Sequence, residues 1–131
     1  MTEENELNVE AMRTWVRYLR SGNYPQGFGR LNRAGQYCCL GVACEAAIDS
    51  GVKVGRALLS GGDIITYNGS IGNLPKVVSL WLGMPNELFL YKRWPWSKPE
   101  LVDAVKLNDD LKVSFRKIAK AIERTYPEIK K

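Results

Sequence analysis

The residues best suited to chemistry lie in one acid-free stretch near the start of the chain. Residues 19–44 hold three arginines, three aromatic residues, three cysteines and five glycines, and they contain no Asp or Glu. Arginine binds phosphate through a planar fork of N–H donors, and aromatic rings stack on bases. This combination predicts a small-anion or nucleotide site whose ligand-binding residues are Arg20, Gln26, Arg30 and Tyr37.

The aromatic residues of this stretch have two interpretations. Tyr24, Phe28 and Tyr37 could stack on a base, with Arg17 and Arg33 as further phosphate contacts. Alternatively, the three rings pack their loop onto the preceding helix while the arginines lie along the surface. We favour packing, because burying an aromatic ring stabilises a loop by itself.

The chain has few of the residues that nucleophilic catalysis and metal binding require. The chain has no histidine, so it lacks the commonest general base and the usual Ser-His and Cys-His pairs. Cys38, Cys39 and Cys44 do not complete a four-ligand zinc site, and we expect free, buried thiols, although Cys39 near a helix start could be reactive. The adjacent Asp109 and Asp110 suit a turn better than acid-base catalysis. We expect a non-catalytic protein without catalytic residues, metal or cofactor.

Positive charge is concentrated at two places in the chain. The net charge is +5, from 19 Lys and Arg against 14 Asp and Glu. Residues 11–44 contain five arginines and no acid, and residues 111–131 contain seven basic residues against two acids. Such zones attract phosphates or an acidic protein surface, although solvated basic faces have the same composition. Residues 114–124 look like the first helix of a helix-turn-helix, but the seven residues after them are too few for a recognition helix.

The length and the ends of the chain indicate one domain. The 131 residues suffice for a single hydrophobic core, so we expect one domain over residues 1–131. Residues 2–6 are polar and acidic, and the last residues follow Pro127, so both ends, about residues 1–7 and 128–131, should fray. No apolar run approaches the roughly 20 residues of a membrane helix, and the first residues are acidic, unlike a signal peptide. These features predict a cytoplasmic protein with no membrane partner.

Apolar spacing and capping residues predict four to five short helices. Asn8 and Ser114 are placed to cap the first and last of them, and Ser97 and Glu100 have the spacing of a capping box. Glycines follow three of the segments as stop signals. The predicted helices span residues 9–21, 39–50, 74–82 and 98–106, with a last helix that begins after Ser114 and a cap at Asn73 for the third.

Turn residues predict one or two small antiparallel β-hairpins. The first has strands at residues 30–32 and 36–38 around residues 33–35, which include Gly35. The second has strands at residues 64–67 and 70–71 around Asn68-Gly69, a pair that favours a type I′ turn. Helices and hairpins together predict an α+β fold.

A second group of aromatic residues follows the third predicted helix. Residues 84–96 hold seven large apolar side chains without helical or strand periodicity, which predicts a packed loop or short helical turns. If this segment is exposed it is a partner site, because aromatic residues dominate binding hot spots. The candidate partner-binding residues are Tyr91, Trp94 and Trp96.

Three blocks of the sequence resemble a known group of proteins. The blocks are LRSGNYPQGFGRLNRAGQYCCLGVAC, NLPKVVSLWLGM and KLNDDLKVSFRKIAKAIE. In this order they are similar to a family of small phage- and prophage-encoded proteins with the patterns LRSGxYxQGxGxL, CCLGVxC and LNDxxxxSFxxIA. The resemblance implies a non-structural phage product in the host bacterial cytoplasm that acts on a host or defence component. It carries no activity, cofactor or catalytic residue over to this chain.

The functional hypothesis is therefore one of binding. We expect a non-catalytic phage accessory protein that acts on a host component, with a host protein as the partner. One alternative is a protein that binds a small anionic, nucleotide-type ligand. The other is a sequence-independent nucleic-acid binder that uses the basic last helix.

Overall fold

The computed structural model describes residues 7–59, 61–83, 89–92, 100–103, 108–109 and 112–130, and residues 89–92 and 100–103 by their backbone alone. Within these residues, four α-helices and three antiparallel strand pairs confirm the predicted α+β class. In chain order the elements are α1 (Val9–Arg20), β1 (Asn32–Arg33), β2 (Gln36–Tyr37), α2 (Cys39–Asp49), β3 (Arg56–Leu58), β4 (Ile65–Tyr67), α3 (Lys76–Leu82), β5 (Phe89–Lys92), β6 (Glu100–Asp103), α4 (Phe115–Thr125) and a 3₁₀ turn (Pro127–Lys130).

The first helix confirms its prediction at both ends. The Asn8 side-chain oxygen accepts a hydrogen bond from the Ala11 backbone N–H at 3.2 Å, which satisfies a donor that the helix start leaves free. Trp15 and Leu19 on the apolar face are buried. Gly22 follows the helix with a φ of 79°, a conformation that glycine adopts without strain.

The β1–β2 hairpin lies where its turn residues predict it. Asn32 is opposite Tyr37 and Arg33 is opposite Gln36. The turn residues Ala34 and Gly35 both have positive φ, 54° and 79°, as a type I′ turn requires. The strands are two residues long and lie within one residue of the predicted ranges.

Small residues let α2 pack closely against its neighbours. A Cβ on Gly41 would lie 1.9 Å from the carbonyl oxygen of Leu31, so the helix and the start of β1 touch through their backbones. The Trp15 indole N–H donates to the Cys39 carbonyl at 2.9 Å and ties α2 to α1. The predicted buried helix is confirmed, and Gly51 with a φ of 99° follows its end.

The pairing of β4 differs from the prediction. Asn68 and Gly69 form the expected turn, with φ values of 53° and 82°, and a single bridge joins Tyr67 to Ser70. Beyond that bridge the chain does not close on itself, because the carbonyl of Ile71 accepts a hydrogen bond from the backbone N–H that precedes β1. β4 instead forms its ladder with β3.

The third helix begins later than predicted. It starts at Lys76 with Pro75 at the N-cap position, and Asn73 does not cap it. A proline excludes the residue before it from the helical region, so Leu74 cannot belong to the helix. Gly83 ends the helix in the left-handed conformation, with a φ of 75°.

The predictions of a loop over 84–96 and a helix over 98–106 are wrong where the structure describes these residues. β5 and β6 form an antiparallel pair in which Lys92 is opposite Glu100 and Phe89 is opposite Asp103. Glu100, the second residue of the predicted capping box, is the first residue of β6. Cross-strand hydrogen bonds satisfy the same backbone groups that the helix would have used, and β5 lies beside α4.

The last helix confirms its cap, and the residues after it correct the predicted fraying. The Ser114 hydroxyl accepts a hydrogen bond from the Lys117 N–H at 3.3 Å. Pro127–Lys130 form a 3₁₀ turn in which Ile129 is 4% exposed, and the Arg13 side chain donates to the Ile129 carbonyl at 2.8 Å. One apolar side chain after Pro127 is enough to hold this end on the core.

The core lies where α1, α2 and α4 meet. Its largest fully buried side chains include Trp15, Tyr67 and Ile118. α1 packs against both α2 and α4, so it is the central helix of the molecule. None of the helices in the described part of the chain is long and apolar enough to cross a bilayer.

Candidate anion-binding groove

The exposed side of α1 is basic. Arg13, Arg17 and Arg20 recur at intervals of four and three residues, which places them along one side of a helix. The opposite side of the helix is buried in the core. The folding of α1 onto the core therefore presents a row of guanidinium groups to solvent.

The exposed side of α4 is basic for the same reason. Arg116, Lys117 and Lys120 are exposed, while Phe115 and Ile118 on the other side are buried. α1 and α4 pack against each other, so the two basic rows become neighbours. The sequence places these rows about a hundred residues apart, and only the fold joins them.

Two hollows mark the surface where the rows meet. The first has a volume of about 470 Å³ and the second about 380 Å³, and Arg20 lines both. The first is lined by Arg13, Val16, Arg17, Arg20, Ser21, Glu123 and Ile129, and the second by Arg20, Ser114, Arg116, Lys117 and Lys120. We call the two hollows together the basic groove.

The centre of the basic groove is an ion pair. The Arg20 guanidinium donates to both carboxylate oxygens of Glu123, each at 2.7 Å. This bond lowers the pKa of the Glu123 carboxyl and raises the pKa of Arg20. A phosphate would use the same two-pronged geometry, so it would compete with Glu123 for the Arg20 guanidinium.

The other cations of the groove include several without a carboxylate partner. Across the described ranges, Arg17, Arg116, Lys117 and Lys120 form no ion pair with an acid. Arg13, by contrast, is bound to Glu10 and to the Ile129 carbonyl. The groove therefore has more positive charge than its own carboxylate neutralises.

The four residues predicted to bind a small ligand are not joined into one site. Arg20 lies in the basic groove, whereas Arg30 is exposed and donates to the Gly29 carbonyl at 2.8 Å. Gln26 and Tyr37 are neighbours through a backbone bridge, but their side chains have other partners. No hydrogen bond or ring contact of the described structure links the four side chains to one another.

Gln26 is a structural residue in this fold. Its amide N–H groups donate to the Asn108 side-chain oxygen at 2.9 Å and to the Val113 carbonyl at 2.8 Å. Asn108 is fully buried and donates to the Gly27 carbonyl at 2.9 Å. These bonds fasten the glycine-rich loop to the segment that leads into α4, so two of the three sequence blocks meet here.

The tyrosines of the first stretch pack against one another. Tyr18 stacks on Tyr24 with ring centroids 5.7 Å apart, and Tyr24 meets Tyr37 edge to face at 5.2 Å. Burial raises the pKa of Tyr24 to about 12. The packing interpretation therefore describes Tyr24 and Tyr37, but Phe28 is 45% exposed.

A buried polar cluster beside the tyrosines has no counterpart in the sequence predictions. The Tyr67 hydroxyl donates to the Glu45 carboxylate at 2.6 Å, and Arg56 donates to both oxygens of the same carboxylate. The Asn32 amide donates to the Tyr67 oxygen at 3.0 Å, and burial raises the pKa of Tyr67. Glu45, an acid flanked by small apolar residues in α2, was the available signal. The other members of the cluster come from β1, β3 and β4, which only the fold brings together.

The three cysteines are buried thiols that form no disulfide, as predicted. Burial raises the pKa of Cys38 to about 11 and also raises that of Cys44, so neither is a thiolate at neutral pH. Cys39 is fully buried in the core, which disfavours the reactive alternative. Within the described residues, no group of three or more Cys, Asp or Glu side chains could hold a metal ion.

The predicted partner-binding residues are either described by their backbone alone or lie outside the described residues. Tyr91 belongs to β5 and is in register with Leu101, but only its backbone is described. Trp94 and Trp96 lie outside the described residues. Their role as partner anchors stays a prediction.

Comparison with known proteins identifies a family. No curated protein matches the chain, and no solved structure matches it. A family model described as a domain of unknown function, DUF8296, matches residues 7–126, which include α1, α4 and the whole basic groove except Ile129. The chain belongs to the DUF8296 family.

Proposed function

We propose that this protein is a non-catalytic nucleic-acid binder whose phosphate-binding surface is the basic groove between α1 and α4. The observation that carries the proposal is the lining of the groove. Six basic residues and one carboxylate, Glu123, surround two hollows that share Arg20. Two neighbouring basic hollows suit a polymer of phosphates better than a single small anion.

The unpaired cations supply the driving force. Arg17, Arg116, Lys117 and Lys120 lie at the surface without carboxylate partners in the described structure, so each can contact a phosphate without first breaking an ion pair. Each such contact releases a condensed counterion from the nucleic acid. Binding through these residues is therefore strong at low salt and weak at high salt.

The arrangement favours binding without sequence preference. The basic rows lie on the sides of two packed helices, and α4 is followed by a 3₁₀ turn rather than by a second helix. No recognition helix therefore extends from the described part of this surface. Phosphate contacts position a protein on nucleic acid but read no bases.

The resemblance to phage proteins supports a setting for this activity. We place the protein in the cytoplasm of the bacterial host, as a phage accessory protein that acts on a host component. Nucleic acid, free or within a host complex, is the component that the groove fits. There are two alternative ligands, a host protein bound through Tyr91, Trp94 and Trp96 and a nucleotide bound in one hollow. If either is the true ligand, the affinity of the protein for nucleic acid should not depend on the length of the strand.

The location of the site is tested by removing charge inside and outside the groove. Lys117→Gln with Lys120→Gln removes two groove cations, and Lys53→Gln with Lys76→Gln removes two exposed cations elsewhere. Fluorescence anisotropy with a labelled 20-nucleotide DNA at fixed salt gives the dissociation constants. We expect the groove variant to bind at least about 10-fold more weakly than the control variant, from roughly 1 kcal/mol per lysine–phosphate contact.

Two outcomes would overturn the proposal. Equal weakening by both variants would mean that binding depends on net charge and not on the groove. Equal affinity for a 20-nucleotide strand and a mononucleotide would replace the polymer by a small ligand.

A further inference from the structure

Phe28 is an aromatic side chain in an unusual position. Among the described residues, four large apolar side chains are exposed, and Phe28 is the aromatic one, with 45% of its surface in solvent. The other two rings of its loop and hairpin, Tyr24 and Tyr37, pack against each other. Nearly half of the Phe28 surface is therefore available for contact with a ligand.

The residue before Phe28 is held in place by its backbone. The Gly27 N–H donates to the Tyr37 carbonyl at 2.7 Å, and the Gly27 carbonyl accepts from Asn108 at 2.9 Å. A Cβ on Gly27 would lie 2.7 Å from the Cβ of Gln36, so the hairpin fits closely against the loop. The position of the exposed ring is therefore fixed before a ligand binds, which reduces the conformational entropy lost on binding.

Lys112 brings positive charge to the ring. Its ammonium nitrogen lies 4.1 Å from the centre of the Phe28 ring and donates to the Asp109 carbonyl at 3.0 Å. Lys112 has a φ of 53°, in the left-handed region that non-glycine residues rarely adopt. The structure thus holds a cation over one face of the Phe28 ring, while 45% of the Phe28 surface stays exposed.

The lysine that contacts the ring lies close in sequence to the basic groove. Ser114, two residues after Lys112, lines the second hollow together with Arg116 and Lys117. Two residues span at most about 7 Å of chain, so the backbone of Lys112 and this hollow lie at the same end of α4. A strand of several nucleotides with one base on the ring would extend toward these cations.

We propose that Phe28 is the stacking platform for a nucleobase and that the groove therefore selects single-stranded nucleic acid. This inference rests on the proposed function. In a duplex the bases are stacked on each other and their faces are closed to a protein ring, whereas a single strand offers them. Phosphates in the groove supply affinity, and the base on Phe28 supplies the preference for single strands.

The experiment compares strands with and without bases. The probes are a labelled 12-nucleotide oligothymidylate, an abasic strand of the same length and a 12-base-pair duplex, all measured by anisotropy with the full chain. Wild type should bind oligothymidylate about 5- to 150-fold more tightly than the abasic strand, because stacking contributes roughly 1–3 kcal/mol per base. Phe28→Ala should lose that preference and bind the abasic strand as wild type does.

Two further variants separate stacking from general apolar contact. Phe28→Leu keeps most of the apolar volume without the aromatic face, and it should behave as Phe28→Ala does. Leu80→Ala truncates another exposed apolar side chain and should change nothing. Equal affinity of wild type for the abasic strand and oligothymidylate, or unchanged binding by Phe28→Ala, would overturn the inference and leave the groove proposal standing. Failure of wild type to bind any of the three probes would overturn both.

Discussion

At the scale of single residues, Glu123 controls the state of the groove. Its carboxylate occupies both prongs of Arg20, the residue common to the two hollows. The pair is partly exposed, so it contributes at most about 1 kcal/mol to stability. Its larger effect is on binding, because a phosphate must share or displace the carboxylate to reach the guanidinium.

The first prediction follows from this competition. Glu123→Gln removes the negative charge and should tighten nucleic-acid binding about 3- to 10-fold, from roughly 1 kcal/mol of released competition. Asp63→Asn is the matched control, since Asp63 also pairs with an arginine, Arg33 at 3.5 Å, outside the groove. Tightening by the control to the same extent would show that net charge alone is responsible.

The same carboxyl predicts a pH dependence of stability. Arg20 lowers the folded-state pKa of Glu123 below its ordinary value of 4.5, so the unfolded chain binds the proton more readily. The contribution of the pair is therefore present above that ordinary value and is lost as the pH falls through the lowered pKa. Urea unfolding at pH 6 and pH 3 should show a larger loss for wild type than for Glu123→Gln, by up to about 1 kcal/mol. Equal losses would contradict the assignment.

Tyr67 tests whether the buried polar cluster is structural. Tyr67→Phe leaves the Asn32 amide without its acceptor and removes one donor from Glu45, so it should lower the free energy of unfolding by about 1–3 kcal/mol. Tyr18→Phe removes a similar bond, from Tyr18 to Asp49 at 2.8 Å, but near the surface, and should cost less than about 1 kcal/mol. Nucleic-acid binding should not change in either variant. A loss of binding in Tyr67→Phe at full stability would give the cluster a functional role.

At the scale of elements, the close approach of α2 to β1 is the tightest packing constraint. Gly41→Ala should destabilise the fold by about 1–3 kcal/mol even though alanine favours helix, because its methyl group would meet the Leu31 carbonyl at 1.9 Å. Gly55→Ala is the control, since its methyl group would meet nothing closer than 3.6 Å. Thermal or urea unfolding measures both. A stabilised Gly41→Ala variant would mean that α2 can move away from β1 at little cost.

Elements whose signals are local are predicted well from the sequence, and those that depend on distant pairing are not. Asn8 and Ser114 cap their helices by bonds that span three residues, so the sequence contains both partners. β4 pairs with β3 and not with residues 70–71 as predicted, and Glu100 lies in a strand despite its capping-box spacing. These choices depend on hydrogen bonds to segments that no local pattern identifies.

At the scale of the whole molecule, the site is made by joining the two ends of the chain. The Arg20–Glu123 bond spans 103 residues, and the composition predicts both basic zones but not their contact. The four residues predicted to form a small-ligand site lie in one stretch of sequence. In the fold, however, the Gln26 side chain bonds to Asn108 and the Tyr37 ring packs against Tyr24. Proximity in sequence did not bring these four side chains together, whereas the charge pattern of each end predicted the residues that line the proposed groove.

The contact between the two basic zones also explains how a chain of this size could bind a strand of nucleic acid. α1 is the central helix, and it supplies one wall of the groove while α4 supplies the other. Phe28 lies toward the start of α4 through its contact with Lys112. The proposed phosphate contacts and the proposed stacking platform are thus held by one fold, as binding of a single strand to both would require.

The most direct measurement is the salt dependence of single-strand binding by wild type and by the Lys117→Gln, Lys120→Gln variant. With three or four phosphate contacts, the logarithm of the binding constant should fall against the logarithm of the KCl concentration with a slope of about −2 to −3. The variant should have a slope shallower by about 1 to 1.5, because two contacts are lost. A wild-type slope near zero, or an identical slope in the variant, would contradict phosphate binding in the groove.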